Sequence, residues 1–527
     1  MSISTRRISP MLLGFGMILL LAFFLRFYNI ENLPAGLYPD EAMNGTNAIE
    51  ANETGNYKLF YEDNSGREGL FINLQALALK TFGYNIPALK LWSAIFGTLT
   101  ALGIGLLAWE LFERRSAALI AAFITATSYW AINFSRIGFR AIMTSFLLSF
   151  SFYFFFRGLR TGKMFHFALA GLIFGLGLHT YIAFRVAPFI LVFLLPFLIL
   201  AYENFFQRYW KHALVFLFAA FIAASPMFYD FYQNPHHFSD RSEDISIFSP
   251  KVNHGDFFGT LGKTLGLSLI KYNFVGDQNF RHNYAPYPIL DPIIGTFFLA
   301  GFLFLLGQTW RLLLARLRSL EYNPHIARNA FLFIIFFVML APEFLTNEGL
   351  PHALRSIGTQ VPVFLFATFP ALFLFNLALR NKGGRHLIFF SFIILALGTS
   401  ALWNTMKYFS FFADNPKQYS SFGASLKNMS DHINTAPSET RIYLSANTGY
   451  IDLQAILFQT YQQAKNFEVL KPETTIIAPA EIIMIRFDEN IFQNIRKRSP
   501  QSFVKEIPSD SGYANFKVVV IPEIKEQ

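Results

Sequence analysis

The sequence predicts an α-helical polytopic membrane protein of about eleven transmembrane helices, with a small external α/β domain at its C-terminal end. Three observations carry that reading. Of 527 residues, 53% are hydrophobic, 15% are charged and 65 are Phe, a balance too apolar for an ordinary soluble chain. The apolar residues come in repeated runs of roughly the 20 residues that a bilayer core requires. The basic residues cluster in alternate connections between those runs, as the positive-inside rule demands.

The expected spans are 10–28, 88–109, 117–133, 141–157, 166–183, 186–202, 212–230, 291–311, 329–345, 360–379 and 387–404. Arg6 and Arg7 precede the first of them. No small-residue cleavage site follows it, so it reads as an uncleaved span rather than a signal peptide. Arg26-Phe27-Tyr28 reads as its interfacial anchor. With the N-terminus cytoplasmic, the inner connections are Glu113–Arg115, Arg157–Lys163, Gln207–Lys211, Arg311–Arg328 and Arg380–Arg385. Each carries two or more Lys or Arg. An odd number of spans then leaves the C-terminal tail outside.

The domain plan that follows is a transmembrane domain over 1–404 and an external α/β domain over 405–527. Within the first, 29–87 and 231–290 are large outer loops. In the tail, Ser420–Asn434 and Ile451–Ala464 read as helices. Arg441–Ala446, Ala480–Phe487 and Phe516–Pro522 read as strands. The net charge of +9 is accounted for by the inner loops, and no nucleic-acid motif is present, so nucleic acid is not an expected partner. Cysteine is absent, which removes disulfides, thiol catalysis and Cys-ligated metals.

The polar residues that topology leaves unexplained collect on the outer side. Asp40 and Glu41 follow the first span, and Pro39 stiffens the backbone before them. A carboxylate there is a candidate base for an attacking hydroxyl. Arg67-Glu68-Gly69 opens Leu70–Phe82, which reads as a helix lying in the interface. Arg136 and Arg140 are four apart, as are Tyr181 and Arg185, so a helix would set each pair on one face. His352 and Arg355 repeat the pattern at spacing three. Outer cations run against the usual bias, and a guanidinium fork suits a phosphate oxyanion. The bland alternatives are solvated loop acids and arginines that snorkel to lipid headgroups. Metal spacing is weak: Glu68 could join His236, His237, His254 or His352 around a divalent ion.

Leu37-Tyr38-Pro39-Asp40-Glu41-Ala42, Arg67-Glu68-Gly69-Leu70-Phe71-Ile72-Asn73 and Pro351-His352-Ala353-Leu354-Arg355-Ser356 together carry a resemblance. The chain resembles the polyprenyl-phosphate-sugar-dependent membrane glycosyltransferases of the GT-C superfamily, over about residues 10–404. The bacterial members akin to protein O-mannosyltransferases and lipid A aminoarabinose transferases are the most similar. The resemblance implies that Asp40 is the catalytic aspartate, with Glu41 a helper in acceptor binding or loop structure. It implies that Glu68 helps to hold a metal or the acceptor. Arg67, Arg136, Arg140, Tyr181, Arg185, His352 and Arg355 would serve the donor phosphate and substrate. One departure is plain: Arg136-Ile-Gly-Phe-Arg140-Ala-Ile-Met lacks the second acid that many relatives carry there.

The function so implied is sugar transfer from a polyprenyl monophosphate to an acceptor hydroxyl on the outer face of the plasma membrane, with inversion. Its partners would be the lipid-linked sugar donor, a protein, lipid or glycan acceptor, and membrane lipids. No cofactor is required outright; a divalent metal is the one left open. The alternatives are a transporter or flippase of a lipid-linked sugar and a scaffolding membrane protein. The first usually shows inverted repeats and midplane polar groups, which this sequence lacks. The second leaves Asp40, Glu68 and the outer arginines without a task.

Overall fold

The computed structural model describes residues 10–238, 245–319, 321–381, 384–437, 439–445, 450–463, 467–470 and 474–523. Arg6 and Arg7, and the expected ends of a strand at Ala446 and a helix at Ala464, lie outside these residues. Two compact units emerge. One comprises the described residues of Met1–Tyr28, Lys58–Phe71 and Ser93–Phe411, the other those of Asn29–Tyr57, Ile72–Trp92 and Phe412–Gln527.

Among the described residues, eight helices are long and apolar enough to cross a membrane. A ninth span forms if the bent pair Arg115–Thr127 and Tyr129–Arg136 counts as one. The expected spans at 10–28 and 166–183 fall on shorter apolar helices, Met11–Phe27 and Met164–His179, so the count of eleven is not met by length alone. The chain is a multi-pass membrane protein: helix Phe205–Gln233 leaves Leu214, Leu217, Phe218 and Phe221 exposed, a lipid-facing surface rather than a wetted one.

Helix pairs in the first unit pack by close backbone approach. Met164–Leu176 and Phe205–Gln233 meet along Gly171 and Gly175. A Cβ on Gly171 would stand 2.1 Å from the Phe216 carbonyl oxygen, and one on Gly175 would stand 2.2 Å from that of Ala220. This small-xxx-small seam replaces the hydrophobic drive that lipid removes. Gly171→Ala is expected to cost about 1–3 kcal/mol by overpacking, read as a lower thermal midpoint in detergent. The abundant Phe fills the remaining space: Phe302, Phe333 and Phe366 form a triangle with centroids 5.0–5.1 Å apart.

The bent pair turns by 58° at Ser128. Such a break frees carbonyls of the preceding turn. Arg26 satisfies them, donating to the carbonyls of Ala126 at 3.1 Å and Thr125 at 3.3 Å. It also donates to the Ala22 carbonyl and to Ser135 Oγ. The expectation that Arg26 is an interfacial anchor is therefore corrected. It is fully buried, where carbonyls freed at the helix break accept its N–H groups. Tyr28 remains exposed.

The second unit contains a five-stranded sheet of order β4-β3-β5-β7-β6. Its strands are β3 (Arg441–Ser445), β4 (Phe467–Leu470), β5 (Ala480–Ile483), β6 (Phe503–Ile507) and β7 (Phe516–Ile521); the two-residue strands β1 (Phe60–Tyr61) and β2 (Arg67–Glu68) belong to the first unit. β3 runs parallel to β4 and β5, and β7 antiparallel to β5 and β6. Helix Glu489–Arg498 covers one face through Phe492 and Ile495, which meet Tyr443, Ile482 and Val519. Sequence reading missed β4, β6 and this helix, although Asp488 caps it through the amides of Asn490 and Ile491.

Helix Pro39–Thr54 docks within this unit. Thr46 Oγ1 donates to Gln454 Oε1 at 2.6 Å, and Tyr461 OH donates to Glu53 Oε1 at 2.8 Å. In the sheet, Glu481 Oε2 lies 2.6 Å from His432 Nε2. That hydrogen bond holds the Glu481 carboxyl below its ordinary 4.5. A depressed acid contributes stability that is full above the unfolded value and is lost as pH falls through the folded one. Cooperative loosening of this unit is thus expected below about pH 4.5. In Glu481→Gln, amide hydrogen exchange across β5 should lose that acid dependence.

Candidate active site

Asp40 sits at the second position of helix Pro39–Thr54, with Pro39 at the first. Sequence reading placed it in a loop; the structure corrects this to a first helical turn. Proline is preorganised there, and acids at a helix start are favoured by the unpaired amides and the dipole. Asp40 is half-buried. Its neighbour Glu41 is fully buried. Glu41 Oε2 accepts the Tyr38 amide at 3.1 Å, and Oε1 lies 4.0 Å from Lys90 Nζ. Glu41 thereby closes the helix start.

In the first unit, the β1–β2 hairpin presents Glu68. Its turn passes through Asn64, Ser65 and Gly66, all at positive φ. Arg67 is buried and donates from Nε to the Asp63 carbonyl at 3.3 Å, bracing the turn. Gly69 is required by space: a Cβ would stand 2.1 Å from the Lys58 carbonyl oxygen. Glu68, 2% exposed, takes Arg140 Nε at 2.9 Å and Arg185 Nη2 at 3.1 Å on its two oxygens. The Arg140 guanidinium lies 5.4 Å from the Tyr181 ring centroid. Arg185 packs over Phe231 and Phe238 and donates to the Phe238 carbonyl at 2.7 Å. A cavity of about 220 Å³ adjoins this group, lined by Phe60, Glu62, Glu68, Arg185, His236 and His237 among others. One carboxylate and two guanidiniums sum to +1 in this group, and Glu62 on the cavity wall offsets that charge.

The expected pairing of Arg136 with Arg140 on one helix face is corrected. The helix ends at Arg136 and Ile137 is extended, so the two arginines diverge. Arg136 is fully buried, donating to Tyr408 OH at 3.2 Å and the Leu25 carbonyl at 3.0 Å, and it packs over Tyr408 and Phe409. Tyr181 and Arg185 likewise share no α-helical face, since Tyr181 precedes a short 3-10 turn. Glu68 and Arg140 bring them together instead.

His352 and Arg355 lie between helices His325–Phe344 and Gln360–Arg380. Arg355 pairs with Glu348 and donates to Thr346 Oγ1 at 2.8 Å. The His352 amide donates to Glu343 Oε1 at 2.9 Å. Burial, with His282 beside it, pushes the His352 imidazole well below its usual range. Sequence reading missed its companions Asp277 and His282; their only signal was a loop rich in Asn, His, Asp and Tyr.

A second group adjoins the cavity. Glu62, His236 and His237 each offer one ligand atom within 4.8 Å of the others. His237 Nδ1 lies 2.9 Å from Asp230 Oδ2, which orients its Nε2 in the manner of a metal ligand. This donor set fits a divalent ion. Glu68 has both oxygens engaged by guanidiniums, and His254 is exposed on the turn after Pro250–Asn253.

Comparison with known proteins supports the fold. The family model of dolichyl-phosphate-mannose-protein mannosyltransferases matches residues 70–229. That stretch contains Arg136, Arg140, Tyr181 and Arg185 but neither Asp40 nor His352. No curated protein sequence matches the chain. In fold it is similar to ArnT from Cupriavidus metallidurans bound to undecaprenyl phosphate, at 13% identity, covering 97% of each chain, with a TM-score of 0.55. The apo form of that protein matches at 12% identity, 97% of each chain and a TM-score of 0.54. An oligosaccharyltransferase from Archaeoglobus fulgidus matches at 16% identity, over 87% of this chain and 64% of that one, with a TM-score of 0.49. The chain is therefore a polytopic membrane protein with a fold like that of ArnT, similar over residues 70–229 to the dolichyl-phosphate-mannose-protein mannosyltransferases.

Proposed function

We propose that this protein is an integral membrane glycosyltransferase that moves a sugar from a polyprenyl monophosphate to an acceptor hydroxyl. The observation that carries the reading is the Glu68–Arg140–Arg185 group beside its cavity. Two guanidiniums held in fixed positions beside open space suit a phosphate, and Glu68 is their positioning residue. Support comes from the undecaprenyl phosphate bound by ArnT and from the lipid-linked mannose donor in the matching family's description.

In the reaction, the acceptor oxygen attacks the anomeric carbon as the carbon–oxygen bond to phosphate breaks. Asp40 takes the hydroxyl proton, and the electron pair leaves with polyprenyl phosphate. Arg140 and Arg185 stabilise the charge that builds on that phosphate. In-line attack inverts the anomeric centre. Arg136, consumed by Tyr408 and Leu25, holds helices rather than donor. A divalent ion on Glu62, His236 and His237 would supply further positive charge to the donor phosphate. The loop charges favour the outer face of the plasma membrane for the reaction, with the external domain at 405–527 on the same side.

The test is reconstitution in vesicles with a labelled polyprenyl-phosphate sugar. Transfer of label to a hydroxyl acceptor, with release of polyprenyl phosphate, is the expected result. Movement of intact donor between leaflets with no bond cleavage would instead establish the flippase reading.

A further inference from the structure

The molecule holds a second group of ligand-type side chains, of which only His352 is among the residues that the resemblance implied for donor binding. Asp277, His282 and His352 each place one donor atom within 4.8 Å of the other two. A tetrahedral site with about 2.0–2.1 Å bonds to nitrogen sets its donors roughly 3.3 Å apart, so small side-chain rotations close the set. We propose that these three residues bind a divalent transition-metal ion of the zinc class.

The site is built rather than incidental. Asp277 is 1% exposed and His282 5%. Asp277 Oδ1 accepts the Asn279 amide at 2.8 Å; Oδ2 accepts the Ala353 amide at 2.8 Å and lies 3.0 Å from His282 Nδ1. The carboxylate is thus fixed by backbone from both loops that supply the ligands. The His282 ring stacks on Phe134 at 5.8 Å and lies 4.8 Å from the His352 ring.

Two of the neighbouring cations are neutralised by carboxylates, and a third is held by a neutral amide. Lys271 pairs with Glu343, Arg355 with Glu348, and Arg281 Nε donates to Asn279 Oδ1. Imidazole and carboxylate together favour zinc, cobalt or nickel over calcium or magnesium. Three protein donors leave a fourth position for water or an anionic oxygen. The ligands come from the 271–291 and 345–356 connections, so the ion would pin these two loops to each other.

The experiment uses the full-length protein in detergent, stripped with chelator and titrated with Co(II) and Zn(II). The Glu62–His236–His237 group is silenced in one arm by His237→Ala. Cobalt should give tetrahedral d–d absorption at one equivalent in the His237→Ala protein. His282→Ala and His352→Ala should lose it, and Asp277→Asn should weaken binding. Thermal midpoints of the metal-free variants check folding, and His282→Gln provides a closer replacement of shape. Absence of bound metal in His237→Ala, or binding unchanged by His282→Ala, His282→Gln and His352→Ala, would overturn the proposal. Rise of the thermal midpoint with Zn(II) in His237→Ala but not in the His237→Ala/His282→Gln double variant would support it.

Discussion

Asp40→Asn is expected to lower turnover by about 10²–10⁴-fold, the range contributed by a general base. Donor binding and folding should be nearly unchanged. The reason is structural. Asn keeps the size of the side chain, and Glu41, not Asp40, closes the helix start on the Tyr38 amide. Loss of a charge near the dipole costs only about 0.3–1 kcal/mol. The measurement is single-turnover transfer with bound donor, beside donor affinity and thermal midpoint. A fully active variant would remove Asp40 from the chemistry. A variant that loses affinity but keeps its single-turnover rate would make Asp40 a donor-binding group instead. The one-acid reading adds a contrast: no acid lies in Arg136–Met143 to take over, so no partial rescue is expected from that turn.

Glu68→Ala is expected to have the largest combined effect, on stability and transfer together. Glu68 holds two guanidiniums that are 11% and 12% exposed. Removing one partner of a buried ion pair typically costs about 3–5 kcal/mol, because charge is left without compensation. Arg140 and Arg185 would then lose their fixed geometry, and donor affinity with it. A double-mutant cycle separates the two consequences. If Glu68 acts by positioning Arg140, Glu68→Ala/Arg140→Ala should lose much less than the sum of the single variants. Strict additivity would show that the two side chains act independently. Glu68→Gln keeps the shape but offers one acceptor where two are used, so transfer should fall while stability falls less. Donor KM measured across the series reports whether the lost interaction is with the phosphate.

Much of the membrane domain was legible because its signal is local. A run such as Val361–Phe375 in helix Gln360–Arg380, apolar but for Thr368, has no other stable home than lipid or core. The loop arginines were legible for the same reason, since sign and position are enough. What those arginines do was not legible. Arg136 and Arg140 look equivalent at spacing four, yet a helix end at Ile137 sends one into the bundle and the other to Glu68. Helix Pro39–Thr54 escaped notice because it has little apolar periodicity and buries polar Asn44 and Asn47. Asp277 and His282 gave no metal spacing with His352, which lies far along the chain from both.

Composition, charge and short motifs were enough to establish the class of the protein and the resemblance that made Asp40 and Glu68 candidates. Such signals survive without knowledge of contacts. Which cation meets which acid was settled by tertiary packing alone. It gave Arg26 and Arg136 to the helix interior, Arg140 and Arg185 to Glu68, and His352 to Asp277 and His282. The physical reason is that burial makes a charge costly unless a partner is supplied, and partners more than a few residues away are set by the fold.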